Sequence, residues 1–422
     1  MFTVIKQADK KIWCLFVAFM VIQAVILVIA NPVQMMNDAV SYVRLAKYAA
    51  EIGSMYPTQQ DICSDYLFAP GYVNWLAWWF AMGFSEKAPM AMNVLFNGML
   101  FWEIYYLGVK FWTKPVANRA VMLFSLSVTT YASPLCLLTE LMFTALGTLA
   151  LCLACSGKRK KMVLAGFLLA WANWIRPLGI LYIVVIFLLK YLRAANVRYL
   201  KSLLLSCTVT ALMIGSVTYM HSGFFAFQSS TFGVNLIGSA NEYAKGNTST
   251  GFKILREGER GYIADKTMTF KDRDRFWRDL AIDWIKENPE KYFGLMPVKL
   301  ARLHGVEIGF LDTFTGKDGV IQNPEYMKNI VREFPHWNIL QGVTAYNMVL
   351  YMATMLLFVF AACGIVKRKD RGGIAMLAFW LLGTAATLPF PCSSRYHFPY
   401  MVTVFLLAAV MLVNLCRRVD VD

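Results

Sequence analysis

The sequence predicts an all-α polytopic membrane protein with about ten transmembrane helices, interfacial helices in the first outer loop and a mostly helical outer region. Three observations carry this prediction. The 422 residues are 58% apolar and 15% aromatic but only 16% charged, where soluble chains run near ~25% charged. Apolar runs recur at lengths close to the ~20 helical residues that cross the ~30 Å hydrocarbon core. Finally, the net charge of +15 comes from Lys and Arg gathered between alternate runs.

The first run, residues 12–30, follows Lys6, Lys10 and Lys11 as a signal peptide would. It is long for a signal core and no small-x-small cleavage site follows, so it reads as an uncleaved first span with the N-terminus inside. Nine further spans are expected at 89–109, 116–133, 135–155, 162–175, 178–191, 199–220, 343–366, 374–388 and 398–415. One more run, 72–84, is too short to cross comfortably, and Trp75, Trp78 and Trp79 favour the membrane surface.

With ten spans, twenty of the 41 cations fall on the inside with only Asp9, Asp370, Asp420 and Asp422, while elsewhere 21 cations meet 22 acids. The positive-inside rule therefore absorbs the whole excess. An eleventh span would put four basic clusters on the wrong side, and nucleic-acid binding loses its only support. The map divides the chain into an N-terminal transmembrane module, 1–220, with a first outer loop at 31–87; an outer region, 221–342; and a C-terminal transmembrane module, 343–422. Both termini are expected in the cytoplasm.

Within the outer region, 270–287 is amphipathic and Pro289 is placed to start a helix to His304. Asn247-Thr248-Ser249 is an N-glycosylation sequon. The nine cysteines read as packing residues, including the Cys152–Cys155 pair inside an apolar run; a bridge between the outer residues Cys63 and Cys392 stays open. Four scattered His offer no zinc site.

In a membrane the informative residues are the ionisable ones near the apolar zone, each costing ~2.5 kcal/mol or more at a helix centre unless compensated. Glu103 lies well inside a span and has no assigned role. The others mark the outer boundary: Asp38, Glu140, Arg176, Arg395 and His397. An ion-coupled carrier needs such groups at the midplane, whereas an enzyme at the outer leaflet needs them where they are. A transporter or flippase that moves lipid-linked sugar without bond cleavage is the competing reading.

The residues around these charges carry a resemblance. Asp38-Ala39-Val40-Ser41-Tyr42 with Ala46, Gly53 and Tyr56-Pro57, directly after a first span, resembles the first outer loop of the GT-C glycosyltransferases, which include the family 39 protein O-mannosyltransferases and the lipid A aminoarabinose transferases. Ala69-Pro70-Gly71-Tyr72, Thr139-Glu140, Trp174-Ile175-Arg176-Pro177-Leu178-Gly179, Asp283-Trp284-Ile285 through Tyr292, and Ser394-Arg395-Tyr396-His397-Phe398-Pro399 resemble later family segments in order. The O-mannosyltransferases carry Asp-Glu where this chain has Asp38-Ala39, which argues against that subgroup.

The resemblance implies inverting transfer of a sugar from a polyprenyl-phosphate donor to a glycan, lipid or protein acceptor, on the outer face of the cytoplasmic membrane. An attacking hydroxyl must lose its proton, and Asp38 is the candidate base. The leaving phosphate gains charge, and Arg176, Arg395 and His397 are its candidate partners. Tyr42 and Tyr396 are candidates for positioning substrate. Glu140 is expected to orient the acceptor or an arginine, or to hold a divalent cation, Mg or Mn, with Asp38. Plain alternatives stand beside these roles: helix capping for Asp38, a turn carboxylate for Glu140, a snorkelling helix end for Arg176, and solvation for Arg395.

Overall fold

The computed structural model describes residues 1–29, 37–247, 250–315, 321 and 324–419. Ala30, the start of the first outer loop, Thr248 and Ser249 of the sequon, Asp420 and Asp422 lie outside them. The described residues form helices without a β-strand; a single bridge joins Leu67 and Ser230.

Each of the ten apolar runs becomes helix, yet by length and composition only Lys10–Ile29, Leu200–Ser222, Ile339–Arg368 and Ser394–Cys416 could cross a bilayer among the described residues, or five with one bent pair. Their burial sorts them. The last is 72% buried inside the protein, against 17% for the first two, so Met401–Val419 forms the core of the bundle and the others present apolar faces outward. It packs on Lys114–Leu126, Ile339–Arg368 and Arg371–Thr387, while Lys87–Phe111 joins Lys10–Ile29 to Thr139–Ala154. Close helix approaches rest on small residues: a side chain at Gly166 would meet the Leu203 carbonyl, and one at Gly108 would meet Ala117.

The expected third span, 116–133, is not one continuous helix. Its helix ends at Leu126, Ser127 is extended, and a short turn Val128–Ala132 leads into a 3₁₀ turn at Ser133–Leu135. Thirteen residues of helix reach only about 20 Å. The chain then bends by 110° into Thr139–Ala154. Backbone groups freed by such a break must be caught by protein: Asn97 Nδ2 donates to the Thr130 carbonyl at 2.6 Å, Asn93 Nδ2 to those of Pro134 and Cys136 at 3.2 and 3.3 Å, and Asn347 Oδ1 accepts from the Val128 amide at 2.9 Å.

The first outer loop forms Asn37–Glu51, a 3₁₀ turn Gln59–Cys63 capped by Thr58 and Asp61, and Pro70–Ala81. Trp78 is exposed on the last, as expected at a membrane surface. The outer region gathers a second core from Ile237, Ile254, Trp277, Trp284 and Tyr292. Its Phe270–Glu287 helix has Thr269 as N-cap, but the helix expected from Pro289 to His304 is divided at Leu295. Arg273 fastens this region to the first outer loop by a 2.9 Å ion pair with Asp65. Cys63 and Cys392 do not pair: the Cys63 thiol contacts the Thr267 carbonyl, and the Cys392 thiol those of Thr387 and Phe390.

Candidate functional site

Four separated segments bring their charges together. Asp38 sits in the first turn of Asn37–Glu51. Glu140 opens the Thr139–Ala154 helix after the bend, where the positive end of the helix dipole favours a carboxylate. Arg176 leaves the end of Arg159–Ile175 in extended conformation, as a residue before proline must. Arg395 lies in the 3₁₀ turn Ser394–Tyr400.

These side chains form one connected group. Glu140 Oε1 is 2.8 Å from Arg176 Nη1 and 3.9 Å from Arg395 Nε. Arg395 Nη2 pairs with Asp38 Oδ2. Thr139 Oγ1 accepts from Arg176 at 3.2 Å and donates to Glu140 at 3.3 Å. Tyr396 stands between the guanidinium groups, its ring centroid 5.3 Å from Arg176 and 5.0 Å from Arg395, with its hydroxyl 3.3 Å from Arg395 Nη2. Side-chain exposure grades from 34% at Asp38 through 17% at Arg176 and 9% at Arg395 to 2% at Glu140. Glu140 is therefore the floor of the group and Asp38 its open edge.

Tyr42 stands one helical turn beyond Asp38, packed on Phe68 and Tyr72. Burial, and beside it the Asp38 carboxylate, push its hydroxyl well above the ordinary value, so it stays protonated. His397 is not brought to the cluster. Its Nδ1 meets the Leu303 carbonyl, its Nε2 lies 3.6 Å from Glu307, and its ring stacks between His304 and Tyr351. The cause is the 3₁₀ geometry: at three residues per turn, positions 395 and 397 point to different sides.

Several supports escaped the sequence reading. A Cβ on Gly309 would lie 2.6 Å from the Arg395 amide nitrogen, and one on Gly71 would lie 2.8 Å from the Trp174 carbonyl carbon, two residues before Arg176. Both arginines are thus set by backbone contacts with glycines distant in sequence; the Gly in Ala69-Pro70-Gly71-Tyr72 was the only available signal. Away from the cluster, Lys299 Nζ and the Tyr292 hydroxyl both donate to the Pro389 carbonyl, at 3.3 and 3.0 Å. Burial lowers the Lys299 amine to about 8 and the His304 imidazole to about 3, so His304 is neutral at physiological pH.

A divalent cation is poorly matched to these side chains. Among the described residues no three His, Cys, Asp or Glu side chains converge on a metal position, and both Asp38 and Glu140 carry a guanidinium where a cation would sit. What the group offers is a partly open carboxylate backed by two arginines and an aromatic ring.

No protein-family model matches the chain, and no curated protein matches it. Solved structures do. The chain is similar to the oligosaccharyltransferase of Archaeoglobus fulgidus tethered to an acceptor peptide, at 13% identity and a TM-score of 0.50, over 98% of this chain and 50% of that one. It is more loosely similar to ArnT from Cupriavidus metallidurans bound to undecaprenyl phosphate, at 10% identity and a TM-score of 0.41, over 96% of this chain and 78% of that one. The chain spans about half the length of the oligosaccharyltransferase, and at such identity the likeness speaks of fold. The chain has the GT-C fold of polytopic membrane glycosyltransferases that its sequence segments resemble.

Proposed function

We propose that the protein is an inverting glycosyltransferase, carrying a sugar from a polyprenyl-phosphate donor to a glycan, lipid or protein acceptor on the outer face of the cytoplasmic membrane. The observation that carries this reading is the convergence of Asp38, Glu140, Arg176 and Arg395 from four distant segments into one paired group. The solved structures with dolichol phosphate on the archaeal enzyme and undecaprenyl phosphate on ArnT agree with the donor class.

The depth of the group supports the same reading. Asn347 Nδ2 donates to the Glu307 carbonyl at 2.7 Å, and Glu307 adjoins His397, two residues from Arg395. From Asn347 to the basic end of its helix at Arg368 is about 32 Å at 1.5 Å per residue, close to the ~30 Å hydrocarbon thickness. With Lys367 and Arg368 in the inner headgroup layer, Asn347 comes within about one helical turn of the outer hydrocarbon boundary, which supports reading the four charges near the level of a lipid phosphate.

In this reading the acceptor hydroxyl attacks the anomeric carbon from the face opposite the phosphate. Its proton passes to Asp38, the bond from carbon to phosphate oxygen breaks, and polyprenyl phosphate departs with the electron pair. Protonation of Asp38 weakens its hold on Arg395 as the leaving phosphate gains charge, so Arg395 is released to the group that needs it. Glu140 holds both guanidiniums in place, and Tyr396 and Tyr42 shape the approach.

The test is incubation of purified protein with a panel of polyprenyl-phosphate sugars, followed by assay of released polyprenyl phosphate. We expect release with one donor class and its loss in Asp38→Asn, with folding and lipid binding retained. Movement of intact lipid-linked sugar without release, or wild-type turnover by Asp38→Asn, would reject the mechanism.

A further inference from the structure

The outer region holds a surface that neither the reaction nor its own core uses. Pro324–Arg332 is a strongly amphipathic helix: Ile330 is buried, Tyr326 and Met327 pack toward the main core, and Val331 is 78% exposed. The chain then turns through Phe334, 66% exposed, into Ile339, 88% exposed, at the start of Ile339–Arg368. The segment that carries them is held by specific contacts. Trp337 Nε1 donates to the Ile330 carbonyl at 2.6 Å and its ring packs edge-on against Phe334 at 5.1 Å. Asn338 and Gln341 form a reciprocal cap, and Gln341 Nε2 donates to Glu333 at 2.5 Å.

The patch is continuous with an apolar face below it. Along Ile339–Arg368 the exposed side chains Tyr346, Val349, Met352, Leu356 and Phe360 follow helical spacing down one side, in a helix only 28% buried by protein. Thirty residues reach about 45 Å, which matches the ~40–45 Å bilayer including both headgroup layers. With Lys367 and Arg368 at the inner surface, Ile339 lies at the level of the outer headgroups. Trp337, apolar in body with one satisfied N–H, suits that layer, as do the exposed Arg332 and the Lys328–Glu325 pair on the same helix.

We infer that residues 324–339 form an interfacial anchor whose Val331, Phe334 and Ile339 insert into the headgroup layer of the outer leaflet. The sequence alone placed this whole segment in the aqueous outer region. The inference is independent of the reaction and needs only a membrane-embedded chain.

Photocrosslinking tests it. The full chain carrying p-benzoylphenylalanine in place of Phe334, or separately of Val331, is reconstituted in phosphatidylethanolamine–phosphatidylglycerol vesicles at 3:1 and irradiated, and adducts are identified by mass spectrometry. The same probe in place of the exposed Lys286 serves as comparison. Lipid adducts at both anchor positions exceeding the Lys286 level by about fivefold or more are expected, since an inserted side chain meets lipid continuously. Adducts at the Lys286 level, or adducts mainly to another polypeptide, would overturn the inference. The two probe positions guard against one substitution disturbing the fold.

Discussion

Replacing Gly309 with Ala tests whether the placement of Arg395 governs transfer. The added methyl would lie 2.6 Å from the Arg395 nitrogen, 2.8 Å from its Cβ and 2.9 Å from Ser394 Oγ. Ordinary contact begins near 3.4 Å, so backbone must yield by about 0.8 Å or more, and two of the three atoms belong to Arg395 itself. Displacement of about 1 Å at a reacting group can lower the rate about 10²-fold, equivalent to ~2.7 kcal/mol at the barrier. Overpacking adds ~1–3 kcal/mol of destabilisation. Release of polyprenyl phosphate is measured well below the melting temperature beside Gly294→Ala, whose added methyl meets nothing within 4 Å. Transfer within about threefold of wild type by a folded Gly309→Ala protein would refute the claim that this contact sets the guanidinium.

Glu140→Gln should destabilise by about 3 kcal/mol, because it leaves the partly buried Arg176 without a counter-charge and Arg395 with Asp38 alone; a thermal shift of the detergent-purified protein reads the loss, and Glu140→Gln with Arg176→Met should recover part of it without restoring transfer. For Lys299, the amine is held near 8 in the fold and near 10.4 when unfolded. Between those values the unfolded chain binds more protons, so this residue makes stability rise with pH from about 8 to about 10, while below 8 the cost of the buried charge is present in full. Lys299→Met should remove that rise, visible as a smaller gain in melting temperature between pH 7.5 and 9.5 than the wild type shows; an equal gain would show that Lys299 is not its source. Reporter fusions at Lys160 and Lys286 should report opposite sides of the membrane, and a common side would overturn the ten-span map.

The helical bundle was legible because the bilayer imposes one rule on every segment: apolar length with satisfied backbone. Where the rule is met by other means, the pattern misleads. Residues 116–133 read as a span because Ser125, Ser127, Thr129 and Thr130 do not interrupt hydropathy enough to mark a break. The break is stabilised by Asn93 and Asn97, one helical turn apart on Lys87–Phe111 and both fully buried, and nothing in the local sequence of 116–133 announces partners so far away. The division at Leu295 likewise escaped, since Pro at the second position of Met296–His304 starts a helix as readily as it ends one. Glu103 remains buried with both carboxylate oxygens lacking a hydrogen-bond partner, and the cluster gives it no role.

The charged residues were legible for a different reason, and the structure changes what they mean. From the sequence, Arg176 and Arg395 read as cations for the charge that a leaving phosphate gains, beside the plainer readings of a snorkelling helix end and of solvation. In the structure the group contains two carboxylates and two guanidiniums, each in a pair, so its formal charge is zero and the resting site needs no ligand to stay folded. In the proposed reaction a phosphate would share an arginine with a carboxylate, and Glu140, on the buried floor, has less freedom to let go than Asp38 at the open edge. On the proposed reading, that asymmetry favours Arg395 for the exchange.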